Sequence, residues 1–220
     1  TFFLIIPLAL LVGALAQPLM QLFQAGAFTA DEVNNVGSIL AVWVLSLPFY
    51  AGYMYMYRVF AALRSFLKFA LIDFVVRFVQ VAGYWYLCQP NVLGLAGIPV
   101  ADLGFYAVMF VVCSFIVRGK VGGYGNRGIV VMVVKTVVAS VVGAVAAGVL
   151  ANGMGVLLAG VAISAVVKAV AILAVSGIVG LVVSFGLCKV LRVEEFAVLS
   201  RIGSKFAGKL GRGKKGNHAA

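Results

Sequence analysis

The chain alternates long apolar segments with short polar connections. Each apolar segment has about 20 residues or more, which is the length that an α-helix needs to cross the hydrocarbon core of a bilayer. The pattern therefore predicts an all-α membrane protein, a polytopic bundle of about six transmembrane helices. The predicted spans are residues 2–23, 39–63, 69–87, 92–117, 129–150 and 167–191.

The polar stretch between the first two spans predicts a tight turn. Gly26 suits the position just after a helix end, because glycine takes a positive φ without a Cβ clash. Thr29 and Glu32 have the spacing of a capping box, in which each side chain accepts a hydrogen bond from the backbone N–H of the other residue. Phe28 and Val33 stand at the positions of a hydrophobic staple. One helix should end near Gly26 and the next should begin after Thr29.

Lysine and arginine occur at alternate connections, and this distribution predicts the orientation of the bundle. One set of connections is basic and should face the cytoplasm, whereas the other set carries few basic residues. The start of the first span and the C-terminus are then both cytoplasmic. The basic set holds Arg64, Lys68, Arg118, Lys120, Arg127, Lys189 and Arg192.

Composition agrees with a membrane protein. The chain is 64% hydrophobic and 10% charged, whereas about 25% of the residues of a soluble domain are charged. The formal net charge of +11 sits mainly in connections and in the tail, which indicates membrane topology and not a nucleic-acid-binding surface. Because the chain begins at Thr1 and is apolar from its start, we expect it to be a piece of a longer protein.

Residues 192–220 differ from the rest of the chain. Leu199 and Phe206 belong to an apolar stripe, and Arg201 and Lys205 belong to a basic stripe. This pattern predicts a basic amphipathic helix on the anionic inner leaflet, followed by a disordered basic end. The alternative is a solvated tail whose charges only satisfy the positive-inside rule.

Ionisable side chains inside the spans are candidates for an ion or substrate pathway, because charge in a bilayer is costly. Asp73 and Arg77 are four residues apart and suit a helical ion pair, for which a purely structural role is the alternative. Asp102 should lie near mid-depth of the fourth span, where we expect it to pair with Arg77 or to bind a cation. Arg58 either joins the pathway or extends to the interface.

The last two spans carry small residues at four-residue spacing. Such ridges let two helix backbones approach closely, so helix packing is the favoured interpretation. A groove for an acyl chain is the alternative. The ridges consist of Ala139, Gly143 and Ala147, and of Ser176, Gly180 and Ser184.

The sequence shows no combination of residues that is typical of catalysis. His218 is the only histidine and lies in the tail, so no buried histidine is available as a base or metal ligand. The chain has no nucleophile–histidine constellation and no phosphate-binding loop. Cys88, Cys113 and Cys188 have neither metal nor disulfide spacing. The chain is therefore predicted not to be an enzyme.

Several short stretches are shared with one transporter family. They are IPLA at 6–9, LFQAGAFT at 22–29, RVFAAL at 58–63, GLAGIPVA at 94–101 and LRVEEF at 191–196. In these stretches the chain resembles the MurJ/MviN family of lipid II flippases, in the multidrug/oligosaccharidyl-lipid/polysaccharide exporter superfamily. The resemblance implies the last six of fourteen spans. It also implies transport of lipid II, an undecaprenyl-pyrophosphate-linked peptidoglycan precursor, by alternating access.

The resemblance also implies sites. Some family members bind sodium between the spans that match residues 69–87 and 92–117, which makes Asp102 a candidate sodium ligand and Gln80 a second pathway residue. No cofactor is expected, and sodium or the membrane potential should drive transport. The family's last two spans form a groove for the lipid tail. The matching candidates are Gly143, Ala147, Ser176 and Gly180.

Two other functions stay open at this point. One is export of another lipid-linked oligosaccharide, or of a drug, within the same superfamily. The other is a membrane scaffold whose tail recruits cell-wall synthesis proteins. The expected partners are the lipid-linked precursor, anionic inner-leaflet lipids and cell-wall synthesis proteins, without nucleic acid. The expected location is the bacterial plasma (inner) membrane, with a role in peptidoglycan biosynthesis and cell shape.

Overall fold

A computed structural model describes residues 2–25, 29–121, 126–160 and 164–191. In these ranges the chain forms eight α-helices and two short 3₁₀ turns, without a strand. Helices α1 to α8 are Phe2–Ala14, Ala16–Gln21, Ala30–Val44, Leu47–Ala62, Phe66–Leu87, Gly97–Val121, Asn126–Ala159 and Ala165–Val190. The 3₁₀ turns are Leu22–Ala25 and Gly94–Ala96.

Four helical segments of the described chain are long and apolar enough to cross a membrane. They are Asp31–Ala62, Gly94–Lys120, Val130–Leu157 and Val166–Val190. Helix α1 is apolar but shorter, and α5 has 22 residues but carries several polar side chains. Large apolar side chains such as Leu71 and Phe78 are exposed. The predicted all-helical membrane fold is confirmed, whereas the number of six spans stays a prediction, and the predicted tail at 192–220 lies outside the described residues.

The first predicted span is divided into two helices. Helix α1 ends at Ala14 and α2 begins two residues later, with Leu15 at φ −103° and ψ 14° between them. Pro18 has no backbone N–H, so the carbonyl of Ala14, four residues earlier, cannot receive its helical hydrogen bond. Two backbone hydrogen bonds of 3.0 Å, from Leu15 N–H to Leu11 O and from Leu19 N–H to Leu15 O, still connect the two helices across the break. The missing bond at Pro18 explains why the helix breaks here.

The predicted capping box is confirmed at the start of α3. Thr29 N–H donates to Glu32 Oε2 at 2.8 Å, and Glu32 N–H donates to Thr29 Oγ1 at 3.4 Å. Gly26 and Phe28, which should end the preceding helix and staple the turn, lie outside the described residues. Between α3 and α4 the backbone keeps helical angles at Ser46, so the two helices form one continuous apolar segment.

Helix α1 lies between two groups of helices. On one side it contacts α3 and α4, and α4 packs with α5 and α6; on the other side it contacts α7 and α8. Leu11 of α1 packs with Ala147 of α7. The core of the first group includes Met56 and Phe60 of α4, Phe69 of α5, and Phe105 and Met109 of α6.

Helices α5 and α6 form a hairpin whose ends approach closely. Helix α6 begins at Gly97, five residues later than the predicted span. A Cβ at Gly97 would lie 2.5 Å from the carbonyl oxygen of Leu87, so glycine is required for this approach of the two backbones. Leu93 N–H also donates to Leu87 O, at 3.3 Å. These contacts fix the register of α6 against α5 and thereby decide which of their polar side chains meet.

Candidate functional site

The polar side chains of α5 form one stripe. Asp73, Arg77, Gln80 and Tyr84 occupy positions i, i+4, i+7 and i+11, which lie on one face of a helix. We call these four residues the α5 polar stripe. Hydrogen bonds connect it to α4 at one end and to α6 at the other. The stripe therefore forms polar contacts among three helices, α4, α5 and α6, whose packing is otherwise apolar.

In the first half of the α5 polar stripe, Asp73 accepts hydrogen bonds from two side chains. Tyr53 Oη of α4 donates to Asp73 Oδ1 at 2.9 Å, and Arg77 Nε donates to Asp73 Oδ2 at 2.7 Å. The Arg77 guanidinium lies over the ring of Phe105, with 4.7 Å between Cζ and the ring centroid, which adds a cation–π interaction. The side chain of Asp73 is 18% exposed and that of Arg77 is 51% exposed. Arg77 therefore keeps accessible surface.

Aromatic rings hold the hydroxyl of Tyr53 beside Asp73. The ring centroid of Tyr53 lies 5.5 Å from that of Phe69 and 5.9 Å from that of Phe105. Tyr106 stands 5.6 Å from Tyr53 on the α6 side. Such tilted contacts between rings are favourable beyond the area that they bury. Packing thus positions a donor for a carboxylate on the neighbouring helix.

Asp102 of α6 meets the second half of the stripe. Gln80 Nε2 donates to Asp102 Oδ1 and to Tyr84 Oη, both at 2.8 Å, and Tyr84 Oη donates to the same Oδ1. Gln80 is seven residues beyond Asp73, or roughly 10 Å along the helix. Among the described residues, Asp102 Oδ2 accepts no hydrogen bond, so this oxygen is available to a ligand.

The predicted pairing of Arg77 with Asp102 is wrong. Arg77 pairs with Asp73 one turn away in its own helix, and Asp102 pairs with Gln80 and Tyr84. Because α6 begins at Gly97, Asp102 lies in the second turn of α6. The register of the hairpin places it opposite the last turns of α5. Asp102 is nevertheless only partly exposed and has polar partners, as a carboxylate in a membrane requires.

Arg58 does not join this network. It is exposed near the end of α4. Within the described part of the chain it has no ion-pair or hydrogen-bond partner. Its role in a substrate pathway stays a prediction.

The four predicted groove residues lie in the contact between α7 and α8. Ala147 and Ser176 are fully buried. A Cβ at Gly143 would overlap Ser184 Oγ and lie 2.7 Å from the carbonyl oxygen of Gly180, and a Cβ at Gly180 would lie 2.9 Å from Ala147 Cβ. The small residues thus let the two helices approach closely. In this conformation the residues are covered by the opposing helices, and the lipid-tail groove stays a prediction.

Three residues that the sequence did not indicate as site residues complete the network. Tyr84 continues the spacing of the α5 polar stripe, so this spacing was a usable signal. Tyr53 and Phe105 come from other helices. No spacing along the chain connects them to Asp73 and Arg77, because the contact depends on helix packing.

Comparison with known proteins identifies the family of the chain. The family model described as lipid II flippase MurJ matches residues 1–171. The chain belongs to this family of lipid II flippases. The match includes α1 to α7, the start of α8, and the α5 polar stripe with Asp102. No curated protein and no solved structure matches the chain.

Membership of the MurJ family defines the general activity. A flippase moves a lipid between the leaflets of a bilayer, so this is a family of transporters and its substrate class is lipid II. Together with the four apolar segments long enough to cross a membrane, the match identifies a multi-pass membrane protein. The matched range contains Gly143 and Ala147 but ends before Ser176 and Gly180.

The side chains that meet at Asp102 offer oxygen atoms that could hold a cation. Carboxylate, amide and phenol oxygens are hard ligands, which hard cations prefer. In the described ranges there is no group of three or more histidine, cysteine, aspartate or glutamate residues that could hold a metal. A single carboxylate with neutral oxygens suits an ion of charge +1 better than a divalent ion.

Proposed function

We propose that the chain takes part in flipping an undecaprenyl-pyrophosphate-linked peptidoglycan precursor across the bacterial plasma membrane by alternating access. The family match over residues 1–171 carries this proposal. The α5 polar stripe supports it, because a lipid with a charged and hydrated headgroup needs polar surface within an apolar bundle. The stripe lies in the helix group that α1 separates from α7 and α8, so movement between the two groups would change its surroundings.

Arg77 is the residue that we propose for contact with the headgroup. Asp73 and the Phe105 ring orient its guanidinium, and about half of the side chain remains exposed. Guanidinium groups bind phosphate oxygens through paired hydrogen bonds. Asp73 limits the cost of keeping this charge in the membrane while the substrate is absent.

Asp102 is the residue that we propose for the driving ion. Its free Oδ2 and the oxygens of Gln80 and Tyr84 supply the ligands for sodium. The membrane potential is the other driving force that a charged substrate allows, since moving a charge across 100 mV is worth about 2.3 kcal/mol. Replacement of sodium by choline distinguishes these two driving forces.

The basic tail carries the remaining predicted interactions. Residues 192–220 are proposed to contact anionic inner-leaflet lipids, because polybasic segments bind such surfaces. A cytoplasmic C-terminus and recruitment of cell-wall synthesis proteins are predictions of the same kind. They rest on the charges in the sequence.

Depletion of a cell's own lipid II flippase tests the proposed function. The full-length protein is expressed in depleted bacteria, and the amount of precursor accessible at the outer face is measured. We expect exposure and growth to be restored by the wild type and reduced by Arg77→Ala. The effect of Arg58→Ala tests the predicted role of Arg58 in the pathway. A protein that reaches the membrane but restores neither would contradict lipid II transport. Exposure of another lipid-linked oligosaccharide in such cells would reassign the substrate within the superfamily.

A further inference from the structure

A polar cavity lies beside the break between α1 and α2. It has a volume of about 210 Å³ and is lined by residues of α1, α2, α3 and α7. Its polar lining comes from Gln17, Ser38 and Asn152. One glycine from each of α1, α3 and α7 also belongs to the wall, and that of α7, Gly148, faces open space. All three polar side chains are exposed, so the cavity opens to the surface of the described helices. We call it the α1–α3–α7 cavity.

Both donors and acceptors of hydrogen bonds line this cavity. Ala14 lies in the wall, and its carbonyl lacks a helical partner because of the proline four residues later. The amides of Gln17 and Asn152 each offer two donors and an acceptor. Ser38 Oγ donates to Asn35 O at 2.7 Å, which leaves its lone pairs to accept. None of the described residues that line the cavity is charged.

The parts of the wall that α3 and α7 supply lie toward one end of both helices. Gly37 in the wall is seven residues after the start of α3 at Ala30, and Asn152 is seven residues before the end of α7 at Ala159. At 1.5 Å per residue, both are roughly 10 Å from these helix ends. Ser38 and Asn152 lie just outside the predicted spans 39–63 and 129–150, so the cavity is near one end of these spans.

We propose that the α1–α3–α7 cavity binds an uncharged group that carries hydroxyls or amides, of the size of one sugar ring or one amino-acid residue. The proposal rests on the proposed function: such a group would be part of the glycan or peptide of the lipid-linked precursor. It assigns the neutral part of the headgroup to the cavity and leaves the pyrophosphate to the cationic surface of Arg77.

The size of the cavity and the absence of charge in its described lining argue against three other ligands: the whole headgroup, a phosphate and an acyl chain. With a volume of about 210 Å³, the cavity has room for several water molecules but not for a whole headgroup. A phosphate would find no cation in the described lining. An acyl chain would leave the amides of Gln17 and Asn152 without hydrogen bonds, which is unfavourable in a membrane.

Thiol labelling in lipid nanodiscs tests the cavity without requiring transport. Gly148→Cys of the full-length protein, in a Cys88→Ser background, places a thiol in the wall, where a Cβ meets nothing within 4 Å. Gly104→Cys is the control: it also has open space, lies seven residues into α6 and is outside the cavity. The reagent is an uncharged hydrophilic maleimide, and N-acetylglucosamine is the probe ligand.

We expect the thiol in the cavity to react faster than the control thiol, and the sugar to slow only the cavity thiol. Asn152→Ala should weaken this protection about fivefold, as the loss of one neutral hydrogen bond predicts. Equal labelling of both thiols, or no protection by the sugar, would overturn the proposal. Protection by sodium chloride relative to choline chloride, without protection by the sugar, would also overturn it and indicate a cation site.

The precursor-export assay separates this inference from the proposed function. Gly148→Leu should fill the cavity and reduce export, whereas Gly104→Leu should not. Sugar protection in a protein that does not restore lipid II exposure would refute the proposed function alone. Normal export by Gly148→Leu, in a protein that does restore exposure, would refute the cavity proposal alone.

Discussion

Arg77 donates from Nε to Oδ2 of Asp73 at 2.7 Å, one turn away in the same helix. A pair within one helix does not break when that helix moves against its neighbours. The bonds of Asp102 to Gln80 and Tyr84 are different, because they join α6 to α5. A conformational change of the bundle would therefore preserve the first charge arrangement and can open the second.

Substitution of Arg77 should destabilise the protein, because the Asp73 carboxylate then loses its positively charged partner. Breaking a buried ion pair costs about 3–5 kcal/mol, and the exposure of Arg77 reduces this, so we expect Arg77→Gln to destabilise the protein by about 1–2 kcal/mol. Thermal unfolding of the purified full-length protein measures the change. The double variant Asp73→Asn/Arg77→Gln should regain part of the loss, and Arg58→Gln should be neutral. A double variant as unstable as the single one would show that the charge pair is not the cause.

Tyr84→Phe should weaken the junction of α5 and α6. It removes one donor to the Asp102 carboxylate, and a hydrogen bond to a charged group is worth about 1.5–3 kcal/mol, with partial exposure favouring the low end. Tyr86→Phe is the matched control, because Tyr86 is two residues away, is exposed and makes no side-chain hydrogen bond in the described ranges. Equal unfolding temperatures of the two variants would contradict the role of Tyr84.

Asp102→Asn should remove the dependence of transport on sodium. Replacement of sodium by choline should slow precursor export by the wild type between about fivefold and 150-fold, the usual range for coupling between two sites. The variant should export slowly in both media. Export is measured in vesicles, first at a fixed membrane potential and then with the potential varied at constant sodium. A wild type that is indifferent to sodium but responds to the potential would identify the potential as the driving force.

Gly143→Ala should separate α7 from α8. The added methyl group would overlap Ser184 Oγ and lie 2.7 Å from the carbonyl oxygen of Gly180, and overpacking of this kind costs about 1–3 kcal/mol. Gly153→Ala on the same helix meets nothing within 4 Å and should be neutral or slightly stabilising. The unfolding temperatures of the two variants compare a packed with an open glycine. Equal stability would mean that the ridges are not in tight contact in the membrane.

The sequence predicted the individual parts of the candidate site better than their partners. Asp73, Arg77 and Asp102 were found because charge in an apolar span is conspicuous. The predicted partner of Asp102 was wrong. The position of Asp102 depends on the contact between Gly97 and Leu87, which sets where α6 begins. The break of the first span at Pro18 was likewise missed, together with the cavity that forms beside it.

The sequence by itself determined the helices, the capping box of Thr29 and Glu32, and the membrane class. These features are local: a helix in a bilayer satisfies its backbone through its own residues, so each span is encoded in one stretch of sequence. Only the tertiary structure decided that Asp102 meets Gln80 and Tyr84, that the ridges of α7 and α8 pack against each other, and that α1, α2, α3 and α7 together line a polar cavity. Those outcomes depend on the register and spacing between helices, which residues far apart in the chain set together through close packing.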